Sequence, residues 1–243
     1  MRAAALLLLV ALAGCHQAAA DGDRPITARA FPRAARPVSA LAGNGFSTED
    51  QRDSIGEAKS VMDLANIRAG TTVADLGAGE GYYTVRLAER VGPQGRVLAQ
   101  DIDPAAMRKL GARVERERLD NVSIKTGTAD DPRLPAGSFD RIFLVHMYHE
   151  VSEPYPFLWR LRPALRPDGQ VIVVELDRPT DQHGIAPAQL FCEMAAVGFR
   201  LAEFVRKPEL NGYYARFEAT GPRPAPGAIH PCPLTSSMPK DKP

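Results

Sequence analysis

An excess of either charge is the first thing this sequence lacks. Its 30 Lys and Arg against 29 Asp and Glu leave a formal net charge of +1, which argues against a broad basic face for nucleic acid. No internal repeat is present, so repeat architectures drop out. No apolar run is long enough to cross a bilayer as a mature helix. No Gly-Lys-Ser/Thr follows the one glycine-rich turn, so the chain has no phosphate loop. The cysteines number three. Cys15 belongs to an N-terminal signal discussed below, leaving Cys192 and Cys232. In an oxidising compartment these two can pair. The alternative is a buried thiol at Cys192, within an apolar helical pattern, and an unrelated tail cysteine.

What is present is ordinary soluble-domain composition. The 243 residues are 44% hydrophobic and 24% charged, enough for one generous domain with its own core. The first fifteen residues stand apart. Arg2 is a short positive start, Ala3 to Ala13 is apolar, and Gly14-Cys15 follows, which reads as a secretory signal. Leu12-Ala13-Gly14-Cys15 resembles a bacterial lipobox, which implies lipidation at Cys15 and a membrane contact through that anchor. A plain cleaved signal, or a misassigned start with a cytoplasmic protein, are the alternatives.

In chain order, residues 16–50 are rich in Ala, Arg and Pro and read as a tether and irregular lead-in. Ser54 to Ala69 has nearly helical apolar spacing, with Gly70 as its left-handed cap. Val73 to Leu76 is a short strand ending in the glycine turn, and Tyr83 to Val91 a helix. Arg96 to Gln100 is the second strand, Pro104 to about Arg118 a helix, and Asn121 to Thr126 the third strand. A loop, Gly127 to Ser138, leads to the nearly continuous apolar strand Phe139 to Val145. A helix from about Tyr155 to Leu165, a turn at Arg166-Pro167-Asp168-Gly169 and a strand Val171 to Glu175 follow. The last helix is Pro187 to Val197. Phe199 to Val205 and Gly212 to Thr220 are joined without room for a crossover helix and should be antiparallel. The pattern predicts an α/β three-layer sandwich, its seven-stranded sheet mostly parallel and closed by an antiparallel hairpin. The predicted domain spans 51–220, with a Pro-rich tail at 221–243.

The stretch Asp75-Leu76-Gly77-Ala78-Gly79-Glu80-Gly81-Tyr82 places strand, glycine turn and helix where backbone approaches a ligand. A nicotinamide or flavin fold wants Gly-x-Gly-x-x-Gly, and here the third position is Tyr82. The arrangement resembles the first motif of class I S-adenosylmethionine-dependent methyltransferases, an acidic residue, a hydrophobic one and Gly-x-Gly-x-Gly. The resemblance runs from about Glu57 to Thr220. Asp101 ends the second strand where the family holds the ribose hydroxyls, and Ile102 matches the residue beside the adenine. Ala129-Asp130 lie where family members meet the adenine edge. Leu134 to Asp140 and Leu165 to Gly169 look like the approaches to strands four and five, with Asp168 where glycine is usual. The resemblance implies S-adenosyl-L-methionine as cofactor, with Gly77, Gly79 and Gly81 admitting its methionine part. Asp75 would hold the ammonium; its plain alternative is a helix cap.

Methyl transfer needs a positioned nucleophile and excluded water. Two loops at the strand C-terminal ends could supply this. In the first, His146 is where the family faces the reacting methyl group. His149 could be a general base with Glu150 orienting it, or could pack at the next helix against a backbone carbonyl. His-x-x-His-Glu fits neither helical zinc-protease pattern, so no hydrolytic metal site is expected. In the second loop Arg178 could bind an acidic substrate with Asp177 and His183 lining the pocket, or the three could form a solvated loop. Asn-Pro-Pro-Tyr is absent after strand four, which disfavours exocyclic base amines and glutamine amides as acceptors. The expected activity is methyl transfer to a small molecule; a catalytically silent envelope module on the same fold is the alternative.

Overall fold

The computed structural model describes residues 21–41 and 48–234. The predicted signal and lipobox, Cys15 included, lie outside them. Seven strands form one sheet in the order β3-β2-β1-β4-β5-β7-β6. They are β1 (Thr72–Leu76), β2 (Arg96–Asp101), β3 (Val122–Thr126), β4 (Phe139–Val145), β5 (Leu165–Leu176), β6 (Phe199–Lys207) and β7 (Gly212–Ala219). The first five are parallel. β7 inserts between β5 and β6, antiparallel to both, as the short connection at Pro208–Leu210 requires.

The period-2 alternation of the strands builds two apolar faces. Val73, Val97, Phe143, Ile172, Val174 and Tyr214 face one side, which carries α1 (Glu49–Ser54), α2 (Glu57–Leu64) and α3 (Tyr82–Val91). Also on this side, α4 (Pro104–Glu117) sets Leu110 against Ala78 and Ala99. Ala74, Leu76, Ile142, Leu144, Val171, Val173 and Ala215 face α5 (Pro154–Leu161) and α6 (Pro187–Ala196). β1 and β4 carry apolar residues on both faces because both faces are covered.

The helix expected from Ser54 to Ala69 is instead two. Thr48 forms a capping box with Gln51 and starts α1 a turn early. Gly56, at φ 63°, then breaks the chain before α2. α2 ends at Leu64, and Asn66 (φ 54°), not Gly70, takes the left-handed position after it. The turn predicted at Arg166–Gly169 is absorbed into β5: Phe139 pairs with Leu165 but Arg141 with Gln170, so the extra residues bulge out.

The described parts of both flanks predicted to be loose, residues 21–41 and 221–234, are packed. The lead-in sets Phe31 into the core. Its Arg24 meets Glu153 at 2.7 Å from both Nε and Nη2, and Arg36 meets Glu193 at 2.8 Å with both side chains fully buried. Buried charges of this kind persist only when paired and hydrogen-bonded. Arg36 adds the carbonyls of Tyr148, His149 and Val151. In the tail, Ile229 joins the same core, Arg223 stacks on Trp159, and Cys232 forms a disulfide with Cys192 of α6. The sequence left that pairing open because α6 and the tail meet only in the fold. Ala, Arg and Pro composition misled for a related reason: these segments pack through a few residues, without a periodic face.

Candidate active site

The C-terminal ends of β1, β2, β4 and β5 open onto one cavity of about 790 Å³. Such crevices form where the strand order turns, here at β1 and β4, whose loops leave in opposite directions.

One end of the cavity is backbone. Gly77 and Gly79 line it at φ 65° and 56°. A Cβ on Gly77 would come within 2.8 Å of Met147, so the close approach of the two loops requires glycine there. Gly81 is different. It does not line the cavity; at φ 92° it packs on α4, where a Cβ would sit 2.6 Å from Leu110 Cδ1. The structure shows it in a packing contact, away from the cavity lining.

Asp101 ends β2 and lines the cavity. Its Oδ2 accepts the Gly79 N–H at 2.8 Å, and its Oδ1 accepts those of Ile102 and Asp103 at 2.7 and 2.9 Å. The carboxylate is thereby fixed, with about one of its four lone-pair sites remaining for a ligand. Ile102, Thr128 and Ala129 line the same end. Asp130 does not. Its carboxylate accepts Thr27 Oγ1 at 2.6 Å and Arg160 Nη1 at 2.8 Å, tying the lead-in to α5.

Asp75 lies between the two halves. It lines the cavity yet is 3% exposed, and Thr84 donates to it at 2.6 Å. Burial pushes its pKa up to about 6, against the Thr84 hydrogen bond that lowers it. Beside it sits a group the sequence did not single out. Arg52 donates to both oxygens of Glu57, at 3.1 and 2.6 Å, and stacks 3.8 Å from the Tyr82 ring centroid. Tyr83 donates to Glu57 at 3.0 Å, and His146 Nε2 lies 3.4 Å from it. Burial would raise the Glu57 carboxyl, but the hydrogen bonds from His146 and Arg52 outweigh it and bring the pKa down to about 2. The Tyr82-Tyr83 pair following the glycine turn is the only sequence sign of this cluster.

The other end holds histidines. His146 takes φ 54°, a left-handed conformation that costs a non-glycine residue about 1–2 kcal/mol, and its Nδ1 is buried without a hydrogen-bond partner among the described residues. His149 and Glu150 lie on a short 3-10 turn after β4. The orienting partner of His149 is not Glu150, as the sequence suggested, nor a backbone carbonyl. It is Glu175, fully buried at the end of β5, whose Oε2 is 2.9 Å from His149 Nδ1. Glu150 lies on the other edge of the ring, 3.9 Å from Nε2. Burial alone would lower the His149 pKa; the hydrogen bond and charge of Glu175, with the charge of Glu150, outweigh it and raise it.

The loop after β5 divides. Arg178 and His183 line the cavity. Asp177 does not: Arg206 of β6 holds it at 3.3 Å, outside the site. His183 sits edge-on to His149, ring centroids 5.7 Å apart. Its backbone N–H donates to Ser39 Oγ at 3.1 Å, so the lead-in also fixes this loop.

Comparison with known proteins fits this geometry. Residues 73–169 match the methyltransferase domain family. The chain is similar to a nocamycin O-methyltransferase from Saccharothrix syringae, 36% identical over 115 residues, 47% of this chain and 41% of the relative. It is 30% identical over 122 residues to a ubiquinone/menaquinone biosynthesis C-methyltransferase from Hahella chejuensis, 49% of either chain. The chain thus matches less than half the length of these relatives. A S-adenosylmethionine-dependent methyltransferase from Aquifex aeolicus superposes with a TM-score of 0.63 at 22% identity, over 69% of this chain and 91% of that one. A Pyrococcus horikoshii protein does so at 0.60 and 17%, over 74% and 95%. At those identities the structures speak for the fold alone.

Proposed function

We propose that this chain, a class I S-adenosylmethionine-dependent methyltransferase by its fold and by the domain at residues 73–169, transfers a methyl group from that cofactor to a small molecule. One observation carries the reading. A fixed carboxylate, Asp101, and two cavity-lining glycines share a single cavity with a second, histidine-lined end. The first end suits the cofactor. We assign Asp101 to a ribose hydroxyl, for which its carboxylate keeps about one lone-pair site, and Ile102 and Ala129 to the adenine. Asp75 and Arg52 meet the ammonium and carboxylate of the methionine part. That leaves the end lined by His146, His149, Arg178 and His183 for the acceptor.

In the transfer the acceptor's lone pair forms the bond to the methyl carbon. The carbon–sulfur bond breaks, and its electron pair stays on sulfur. His149, held in one orientation by Glu175, is placed to take the acceptor's proton on Nε2. Met147, Val151 and Phe157 line this part of the cavity with apolar surface that restricts water. The test supplies methyl-labelled cofactor together with a total small-molecule extract of the host envelope. Labelled product and S-adenosylhomocysteine are expected from the wild type and not from Asp101→Ala; equal yields from both would overturn the assignment.

We infer further that the protein is exported and anchored through Cys15. The sequence Leu12-Ala13-Gly14-Cys15 and the Cys192–Cys232 disulfide support this, since structural disulfides persist in oxidising compartments. Labelling cells with a fatty-acid analogue should mark the wild type and leave Cys15→Ala unlabelled. Equal labelling would remove the anchor.

A further inference from the structure

The acceptor end of the cavity holds a second constellation that crosses two loops. One donor atom each from His149, Glu150 and His183 lies within 4.8 Å of the others. His149 and Glu150 come from the turn after β4, and His183 from the turn after β5. All three line the cavity.

We propose that His149, Glu150 and His183 bind a divalent transition-metal ion of zinc's class, with an open position facing the acceptor.

Three features of the geometry support it. First, the donor set of two imidazoles and one carboxylate suits zinc-like ions, and three protein ligands leave the fourth position of a tetrahedral site for water or substrate. Second, Glu175 engages His149 Nδ1 at 2.9 and 3.1 Å and accepts the His149 backbone N–H at 3.2 Å. Nδ1 is therefore occupied, and Nε2 faces Glu150. A carboxylate behind the ring is the usual second partner of a metal-bound histidine, fixing tautomer and orientation. Third, the side chains differ in burial. His149 is 3% exposed, whereas Glu150 and His183 are only partly buried. A tetrahedral ion about 2.1 Å from each donor holds donors about 3.4 Å apart. Bringing donors up to 4.8 Å apart to that spacing asks for a movement of up to about 1.4 Å, at the two partly buried side chains.

The ion's task follows from the methyl-transfer reading, on which this part alone rests. An acceptor hydroxyl, enol or phenol bound at the open position becomes more acidic. Its proton leaves to water, and the metal-held oxygen forms the new bond to the methyl carbon. The methyl–sulfur bond breaks with its electron pair on sulfur, giving a neutral thioether. The acceptor class is thus an oxygen nucleophile, and His149 would serve as ligand in place of base.

The experiment uses the full chain without an affinity tag, stripped with a chelator and dialysed against zinc sulfate, with metal content read by mass spectrometry. Cobalt(II) in place of zinc gives a visible spectrum of the bound site. One equivalent of zinc is expected. His183→Ala and Glu150→Gln should each weaken it at least a hundredfold and abolish the cobalt bands, and Glu175→Gln should weaken it about tenfold. Melting temperature and S-adenosylmethionine titration on the same samples show that the variants fold. Absence of stoichiometric zinc, or zinc retained equally by His183→Ala and Glu150→Gln, overturns the proposal. Cofactor binding without zinc sinks the metal site alone; zinc without cofactor binding sinks the methyl-transfer reading and keeps the site.

Discussion

His149 Nδ1 lies 2.9 Å from Glu175 Oε2, and the same side chain accepts the His149 backbone N–H at 3.2 Å. The residues are 26 apart, at the ends of β4 and β5, adjacent parallel strands. Removing the carboxylate leaves an imidazole and an amide N–H without their buried partner. Glu175→Ala should cost about 3 kcal/mol and Glu175→Gln, which can still accept, about 1 kcal/mol. Urea denaturation of the two variants measures this; equal losses would mean that the carboxylate charge, which neither variant carries, and not hydrogen-bond acceptance, holds the pair.

Asp75 gives a pH-dependent prediction. Its folded pKa of about 6 stands above the ordinary 3.8. Above pH 6 the carboxylate is charged in both states, and its burial opposes folding. Between about 6 and 3.8 the folded state holds a proton that the unfolded state has lost, so this group's contribution becomes more favourable as pH falls. Asp75→Asn should therefore be more stable than wild type at pH 8, by up to about 3 kcal/mol. The gap should close below about pH 4. Thermal melts across pH read it directly, and a gap that widens as pH falls would refute the assignment. Cofactor affinity should move the other way: the wild type should lose it as pH falls through 6, and Asp75→Asn should bind weakly throughout.

The glycine turn was readable in the sequence as a ligand site, but its glycines do different things. Gly77 and Gly79 line the cavity, while Gly81 serves the contact of the turn with α4. Gly81→Ala meets Leu110 at 2.6 Å and a φ of 92°. It should cost about 1–3 kcal/mol in stability and weaken the cofactor only through that loss. A denaturation curve paired with a cofactor titration distinguishes this from direct contact.

The alternation of strands and helices, the mostly parallel seven-stranded sheet and the closing hairpin were legible because periodicity and turn signatures are local. The order of the strands in the sheet was not, because it is set by contacts distant in sequence. Glu57, Arg52 and Glu175 were not. Each sits in an unremarkable helix or strand, and only folding brings Arg52 and Glu57 to the cavity and Glu175 behind His149. Asp130 and Asp177 misled for the same reason in reverse: their positions along the chain fit the site, but Arg160 and Arg206 hold them elsewhere.

The disulfide joins α6 to the tail across 40 residues. Closing a loop of that length stabilises by about 4 kcal/mol through the unfolded chain. Cys192→Ser with Cys232→Ser should lower the melting temperature of the oxidised protein to that of the reduced wild type. No difference between oxidised and reduced wild type would show that the bridge contributes nothing.

The central claim is that the Asp101 end of the cavity binds S-adenosylmethionine, and calorimetric titration tests it most directly. The wild type should bind one equivalent. Asp101→Ala, losing a charge-assisted hydrogen bond to the ribose, should bind about a hundredfold more weakly. No heat from the folded wild type, or equal affinity in the variant, would contradict the account.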